Sequence, residues 1–380
     1  MTLKNGKNKK KNRGNSTLTL IMVVIGFVSG IIMGSFLDGV LEGYGFLLGI
    51  ALKLAIMLVT YYVQLIIHEA GHLVGGLISG YKFGSFRVGS LILLTQNGKL
   101  KLSRQKLAGT GGQCIMNVPL MVDGEYPVIL YNLGGVLMNL ITIPIFVLLA
   151  IVVSEMEFLY AFCVMMVLSA FIVAVTNGIP LKLGMVNNDG SNICELYRNK
   201  EAKRSFWCQF KVMEALREDC SLKDMPEEWF FMPSDEGMKN SITAAAAVFF
   251  ENRLMAEGKF KEAAELSDKL LQMDSALIGL HINLLLTDRI TAGLLLSEDA
   301  SRLAALYESA EYQLFAKQMN TNISVIRTAY AYARLVKNDD GMAAEVLASF
   351  NRFAPAHPYT VEVESERALI KMIDERAMNK

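Results

Sequence analysis

The chemistry of this chain is concentrated in five consecutive residues, His68-Glu69-Ala70-Gly71-His72. Two histidines four positions apart lie on the same face of a helix, close enough to bind one ion. Neutral imidazole suits zinc, and a glutamate beside it can take a proton from zinc-bound water and hand it to a leaving amine. The motif therefore predicts a zinc ion held by His68 and His72, with Glu69 as the catalytic acid and base.

The apolar setting of this motif strengthens the prediction. It lies in an apolar segment, residues 46–78, that is long enough to cross a bilayer. Ionisable residues inside such a segment are costly and mark functional sites, and three on one helix turn need a partner such as a metal ion. Lys53 lies near the start of this segment, at its outer end. At helical rise His68 is roughly 22 Å further along, which puts the histidines nearer the cytosolic side.

Four apolar segments are long enough to span a membrane, and they cover residues 17–37, 46–78, 128–153 and 158–179. The first is too long for the apolar region of a signal peptide and has no small-residue cleavage site, so it predicts an uncleaved span. The sequence thus predicts an all-α membrane core over residues 17–190.

The distribution of lysine and arginine predicts the orientation of these spans. The tail at residues 1–16 and the loop at 81–127 are basic, whereas the other two loops carry acids and no base. Basic loops stay in the cytosol. We therefore expect a multi-pass protein of the cell membrane with both termini and the loop at 81–127 on the cytosolic side.

The composition separates a membrane half from a soluble half. Of the 380 residues, 52% are hydrophobic and only 19% are charged, against about a quarter charged in soluble domains. The formal net charge is +0, so no basic surface indicates nucleic acid as a partner. The five cysteines show no paired metal-ligand spacing, which favours reduced thiols.

Two further stretches fall at the predicted depth of the histidines. The third span carries Asn-Leu-Gly-Gly-Val-Leu-Met-Asn at residues 132–139, early in its course from the cytosol. The fourth returns to the cytosol and ends in Asn-Gly-Ile-Pro at 177–180, with Asp189-Gly190 shortly after. A zinc hydrolase needs a third protein ligand and an open position for water, and these stretches could supply the ligand.

With these motifs the chain resembles the site-2 protease family of intramembrane zinc metalloproteases. The matching features are HEAGH inside a span, GGVLMN on the next, and NGIP followed by DG on the last, over roughly residues 43–195. The resemblance implies Zn²⁺ bound by His68, His72 and Asp189, with Glu69 as acid and base.

The resemblance also implies roles for two asparagines. Asn177 would help to hold the substrate or the oxyanion, and Asn139 would belong to an element that packs beside the site. Both have a second interpretation, since an asparagine can simply bond across helices.

Two departures from the family pattern concern the third ligand and its neighbourhood. The family usually has a proline where this chain has Gly135, and the eight residues between Pro180 and Asp189 are more than usual. Asp123 is the alternative third ligand. Asp189 is alternatively a helix cap or a turn residue.

The loop at 81–127 predicts a small β-hairpin. Residues 91–96 and 99–103 flank Asn97-Gly98, which suits a type I′ turn. A helical substrate must be unwound and held extended before it is cut, and a strand edge can hold it as an added strand. Our hypothesis is that this hairpin does so, and the alternative is a purely structural hairpin.

The C-terminal part, residues 191–380, predicts a soluble cytosolic helical domain. Helices at 243–257 and 261–272, then at 323–337 and 342–352, form comparable pairs with alanines in like places. The pairs predict tetratricopeptide-type hairpins, with an irregular helical domain as the alternative. Its concave face would recruit a substrate tail or a partner protein.

These elements together predict an intramembrane zinc metalloprotease that cleaves membrane-spanning or membrane-associated peptides. One alternative is an inert membrane scaffold that recruits partners through its helical domain, but such a protein has no need of Glu69. Another is a metal transporter with a midplane site, for which four spans are few.

Overall fold

The computed structural model describes residues 8–107, 109–181 and 186–379, which are mostly helical with one small sheet. The predicted basic tail at residues 1–16 falls on positions whose backbone or side chains lie outside this description. The α-helices are α1 Asn8–Phe36, α2 Phe46–Ile78, α3 Ile129–Val152, α4 Glu157–Gly178, α5 Asp189–Leu196, α6 Lys200–Arg217, α7 Ser241–Ala256, α8 Phe260–Gln272, α9 Gly279–Leu295, α10 Ala300–Tyr307, α11 Ala310–Gln318, α12 Ile323–Tyr332, α13 Asp340–Phe353 and α14 Thr360–Met378. The strands are β1 Lys82–Val88, β2 Leu91–Gln96, β3 Lys99–Arg104 and β4 Gly112–Asn117.

Backbone contacts divide the chain into two compact units. The first unit comprises Met1–Gly76, Ile129–Leu183 and Asn187–Cys194. The second unit comprises Leu77–Val128, Gly184–Val186 and Glu195–Lys380. The predicted domain division, which draws its boundary at residue 190, stays a prediction.

Among the described residues of the first unit, three helices are long and apolar enough to cross a membrane: α2, α3 and α4. Their bounds agree with the predicted spans to within one residue. The first predicted span, residues 17–37, corresponds to α1, whose described apolar stretch, Val23–Phe36, is shorter than a crossing requires. Three such helices suggest a membrane protein.

The burial pattern of the first unit is the reverse of that in a water-soluble domain. The buried residues of α2 are mostly small or polar, among them Thr60, Gln64 and His68. Large apolar side chains lie outside, with Leu47 of α2 80% exposed and Ile151 of α3 67% exposed. This arrangement suits hydrocarbon surroundings, where polar groups must find partners inside the protein.

The polar groups of α2 do find such partners. Thr60 and Ser169 join α2 to α4 through a buried hydrogen bond of 3.0 Å between their hydroxyl oxygens. The Lys53 ammonium donates to the carbonyl of Leu37, just after α1, at 2.8 Å. Lys53 therefore supplies a donor to the carbonyl end of α1, where helix carbonyls lack partners within the helix.

The predicted hairpin is present in the second unit, and it forms part of a larger sheet than expected. The four strands are antiparallel in the order β3-β2-β1-β4. Asn97 and Gly98 have φ angles of 49° and 72°, as a type I′ turn requires. Ile92 and Leu94 of β2 pack against α6. Strands β1 and β4 pair across the chain from residue 89 to residue 111, and no local turn pattern predicts a pairing over that distance.

The predicted helix pairs of the second unit are also present. The first pair, α7 and α8, is broken at Gly258, and the second, α12 and α13, is broken at Asn338 after one π-helical turn. Both residues are left-handed, with φ angles of 74° and 50°, and so end one helix before the next begins. Ala263 and Ala343 lie buried at like places. Whether the array is of the tetratricopeptide type stays a prediction.

Candidate metal centre

The first feature of the site is a very close contact between α2 and α3. A β-carbon added at Gly71 would lie 2.2 Å from the carbonyl oxygen of Gly134, and one at Gly134 would lie 2.2 Å from that of Gly71. Only two glycines allow helix backbones to touch in this way. The glycine of HEAGH and the first glycine of GGVLMN therefore bring the histidine-bearing turn of α2 against α3.

The second feature is the protonation that this contact imposes on His72. The Nδ1 atom of His72 lies 2.8 Å from the backbone carbonyl of Tyr131 in α3. A carbonyl only accepts, so Nδ1 carries the proton and donates, and in the neutral ring Nε2 keeps its lone pair. The helix packing thus prepares His72 as a ligand through Nε2.

Three ligand atoms then converge. Nε2 of His68 lies 3.2 Å from Nε2 of His72, and Oδ2 of Asp189 lies 2.9 Å from the first and 3.3 Å from the second. Two ligand atoms on a tetrahedral zinc are separated by ~3.3 Å, given bonds of ~2.0 Å. The three separations fit such an ion, and the described residues therefore contain a His-His-Asp group that could bind a metal.

Asp189 reaches this group because its neighbour anchors the chain. The Asn188 side chain donates to the carbonyl of Thr176 at 2.7 Å and accepts from the amides of Leu181 and Ser191, each at 3.0 Å. Asn188 is therefore the residue that caps α5, and the Asp189 carboxylate is left for the metal group. Since Leu181 and Asn188 are hydrogen-bonded, the extra residues between them do not carry Asp189 away from α4.

Asp123, the alternative third ligand, does not belong to the three-residue metal group. It occupies a tight turn in which the amides and carbonyls of Val122 and Glu125 bond reciprocally at 3.0 and 2.9 Å. Asp123 itself has a φ of 52°. Its residue type is explained by this turn, because aspartate tolerates the left-handed region better than most residues.

The other predicted site residues occupy different positions. Glu69 is buried on α2, 6% exposed, between the two histidines in sequence. Asn139 is fully buried in α3, and its Oδ1 lies 2.7 Å from Nδ1 of His68. Asn177 is half-buried near the end of α4, and its amide donates to the carbonyl of Val173 in the same helix at 2.9 Å. The role of Asn177 toward a substrate therefore stays a prediction.

Gly135 contacts both imidazoles, which bears on its place in the motif. A β-carbon there would lie 2.6 Å from Nε2 of His68 and 2.7 Å from Nε2 of His72. Any larger residue in this backbone conformation would displace the rings. Where the family usually has a proline, this chain thus has a glycine, and two imidazoles lie directly against the α3 backbone there.

Sequence reasoning missed three groups that build the site: the carbonyl of Tyr131, the side chain of Asn188 and the side chain of Gln64. A backbone carbonyl is present in every residue, so the sequence cannot show that the one of Tyr131 matters. In the sequence, Asn188 is only one residue of a polar turn. Gln64 did carry a signal, since it is a polar residue in an apolar span one helical turn before His68.

Comparison with known proteins adds no assignment: no family model matches the chain, and no curated protein or solved structure matches it. The resemblance to site-2 proteases therefore rests on the sequence motifs and stays a prediction.

Proposed function

We propose that this protein is an intramembrane zinc metalloprotease. The observation that carries the proposal is the convergence of two imidazole Nε2 atoms and one carboxylate oxygen within 3.3 Å of one another. An extra proton could satisfy one of these contacts, whereas a divalent cation satisfies all three. Protein ligands of the types His, His and carboxylate, with an open fourth position, are those of zinc hydrolases.

The residues of the chain divide the work as follows. His68, His72 and Asp189 would hold the ion, which when bound supplies a Lewis acid that makes a water molecule a strong nucleophile at neutral pH. Glu69 would accept a proton from the attacking water and would donate it to the nitrogen of the departing amine. The burial of Glu69 keeps bulk water away from this transfer.

The proposed substrate is a membrane-spanning or membrane-associated peptide. Support comes from the position of the metal group, whose two histidines lie in α2, a helix long and apolar enough to span a bilayer. We further propose that α1 completes a fourth span, that both termini face the cytosol and that the membrane is the cell membrane, as the basic segments indicate. Labelling of Glu155→Cys and Lys99→Cys variants by an impermeant reagent tests on which side of the membrane these two loops lie. We expect the reagent to reach only position 155 from outside.

We also propose that the helical part of the second unit binds a protein partner or a substrate tail, whether or not it is of the tetratricopeptide type. A pocket of about 520 Å³ lies among α6, α7, α9, α12 and α14. Its lining contains six carboxylates and two basic side chains, which favours a basic peptide segment. On its inner side Arg327 pairs with Asp288 at 2.5 Å and with Glu366 at 2.7 Å.

The decisive experiment compares the wild type with Glu69→Gln, each co-expressed with candidate single-span proteins. We expect the variant to lose cleavage and to keep zinc, because Glu69 is not among the three metal ligands. A scaffold would be indifferent to the change, and a transporter would move metal without cleavage. Zinc bound by neither protein would contradict the proposal.

A further inference from the structure

A chain of buried amides leads from α4 to the metal group, and it begins at Gln64. Gln64 is fully buried in α2, one helical turn before His68. Its Nε2 donates to the backbone carbonyl of Met166 in α4 at 3.3 Å and to the hydroxyl of Thr142 in α3 at 3.2 Å. The side chain thus contacts both neighbouring helices of the first unit.

The carbonyl of Met166 fixes which way the Gln64 amide points. A backbone carbonyl only accepts, so the NH₂ group must face Met166 and the amide oxygen must face the other way. That oxygen, Oε1, accepts from Nδ2 of Asn139 at 2.8 Å. The same Nδ2 also donates to the backbone carbonyl of Gln64 at 3.0 Å.

Asn139 is oriented in turn, and it passes the orientation to His68. With its NH₂ group on the two Gln64 oxygens, Asn139 presents only Oδ1 to Nδ1 of His68, at 2.7 Å. An acceptor at Nδ1 requires a proton on that nitrogen. The lone pair of the neutral ring is then on Nε2, the atom that faces His72 and Asp189.

We propose that Gln64 is a positioning residue for the metal, acting through Asn139 to hold His68 in the tautomer that binds through Nε2. The proposal rests on the metal site of the proposed function. It explains why a glutamine and an asparagine, both costly in hydrocarbon, are buried together beside the histidines. Partners of this kind orient metal-bound histidines and typically change metal affinity by about 10- to 100-fold when removed.

The test measures zinc affinity of the purified full-length protein by competition with a chelator, for Gln64→Leu, Asn139→Leu and the double variant. We expect each single variant to bind zinc at least about tenfold more weakly. Because Gln64 acts through Asn139, the double variant should be no weaker than Asn139→Leu alone. Independent structural roles would instead give losses that multiply.

The matched control is Thr60→Val. It removes the hydrogen bond to Ser169, which is another buried polar contact between α2 and α4, but has no link to the histidines among the contacts described. Its zinc affinity should equal that of the wild type. A wild type that binds zinc, with Gln64→Leu unchanged or with multiplying losses, overturns the relay alone. A wild type that binds no zinc overturns the proposed function as well.

Discussion

At the residue scale, hydrogen-bond acceptors leave each imidazole only one nitrogen that could bind a metal ion. The Tyr131 carbonyl takes the Nδ1 proton of His72, and the Asn139 amide oxygen takes that of His68. Both Nε2 atoms then face the Asp189 carboxylate with their lone pairs. Three converging acceptors repel one another unless a cation lies between them, so the geometry itself favours a metal.

The assignment of the third ligand gives the first prediction. Asp189→Asn should weaken zinc binding by more than about a hundredfold, since a neutral amide replaces the only anionic ligand. Asp123→Asn is the control, because that carboxylate lies outside the metal group. Zinc affinity is measured by chelator competition. The assignment is wrong if the Asp123 variant loses zinc while the Asp189 variant keeps it.

The sequence predicted which residues form the His-His-Asp group better than it predicted the contacts that position them. Two histidines at helical spacing define their own geometry, so HEAGH alone placed them on one face of α2. The spacing of Asp189 from Pro180 departs from the family pattern and leaves Asp123 as an alternative, and only the bonds of Asn188 show how the chain returns. Contacts such as Tyr131 to His72 depend on how two helices pack, which no local pattern encodes.

At the element scale, the contact between α2 and α3 decides whether the site can form. The backbones touch at Gly71 and Gly134, and the imidazoles lie against Gly135. Helix bounds for α2, α3 and α4 followed from hydropathy alone, because a span has a fixed minimum length. Hydropathy did not predict the point at which α2 and α3 cross, although the glycines of both motifs mark that point in the structure.

Gly135→Ala tests this packing. The added methyl group would meet His68 and His72 at 2.6–2.7 Å, closer than non-bonded atoms approach, so the rings must move. We expect zinc affinity to fall by at least about tenfold, as for other changes that misplace metal ligands.

Gly30→Ala is the matched control for that variant, because no described atom lies within 4 Å of the added carbon. It should bind zinc like the wild type. Equal zinc affinity for Gly135→Ala and the wild type would show that the imidazoles do not need this space.

The outer strand β3 allows a sharp test of substrate binding by strand addition. In a two-residue hairpin the pair that flanks the turn, Gln96 and Lys99, carries the ladder hydrogen bonds. The next pair, Thr95 and Leu100, does not, so the amide of Leu100 points to the outer edge. Leu100→Pro removes this donor without removing a ladder bond.

We expect Leu100→Pro to abolish cleavage and to leave the zinc content intact. Leu100→Ala, which keeps the amide, should still cleave and serves as the control. Cleavage of co-expressed single-span candidates is read by the size of the products. Continued cleavage by the proline variant would count against strand addition, and Leu93 in the inner strand β2 is a poorer test because a proline there breaks the sheet.

At the scale of the whole molecule, the two units follow opposite rules of burial. The first turns leucines outward and keeps His68, Glu69 and Gln64 inside, whereas the second buries an ordinary apolar core among α9, α12 and α14. The composition predicted that a membrane half and a soluble half of the chain would differ in this way. It did not predict that residues 77–128 group with the C-terminal helices in the second unit, because only long-range strand and helix contacts reveal such grouping.

A prediction about acid stability belongs to the second unit alone. Burial lowers the pKa of His281 in α9 to about 4. The unfolded chain therefore takes up this proton near the ordinary pKa of 6.5, whereas the folded chain takes it up only near pH 4. The stabilisation is complete above pH 6.5 and is lost as the pH falls toward 4. Between pH 7.5 and 5 the loss should be about 2 kcal/mol from this residue.

Unfolding by denaturant, followed by tryptophan fluorescence, measures this effect. Trp207 and Trp229 are the chain's two tryptophans, and both lie in the second unit. His281→Leu should flatten the pH dependence by about 2 kcal/mol over that range. A slope equal to that of the wild type would mean that His281 takes up its proton in the folded protein as easily as in the unfolded one.

The hydrogen-bonded closure between Leu181 and Asn188 bears on how much the connection between them can vary in length. The bonds hold the two ends of the connection together, so its length can drift during evolution without moving the carboxylate that follows. Residues inserted between NGIP and DG should therefore leave the Asp189 carboxylate beside the two imidazoles, so this connection should tolerate changes of length.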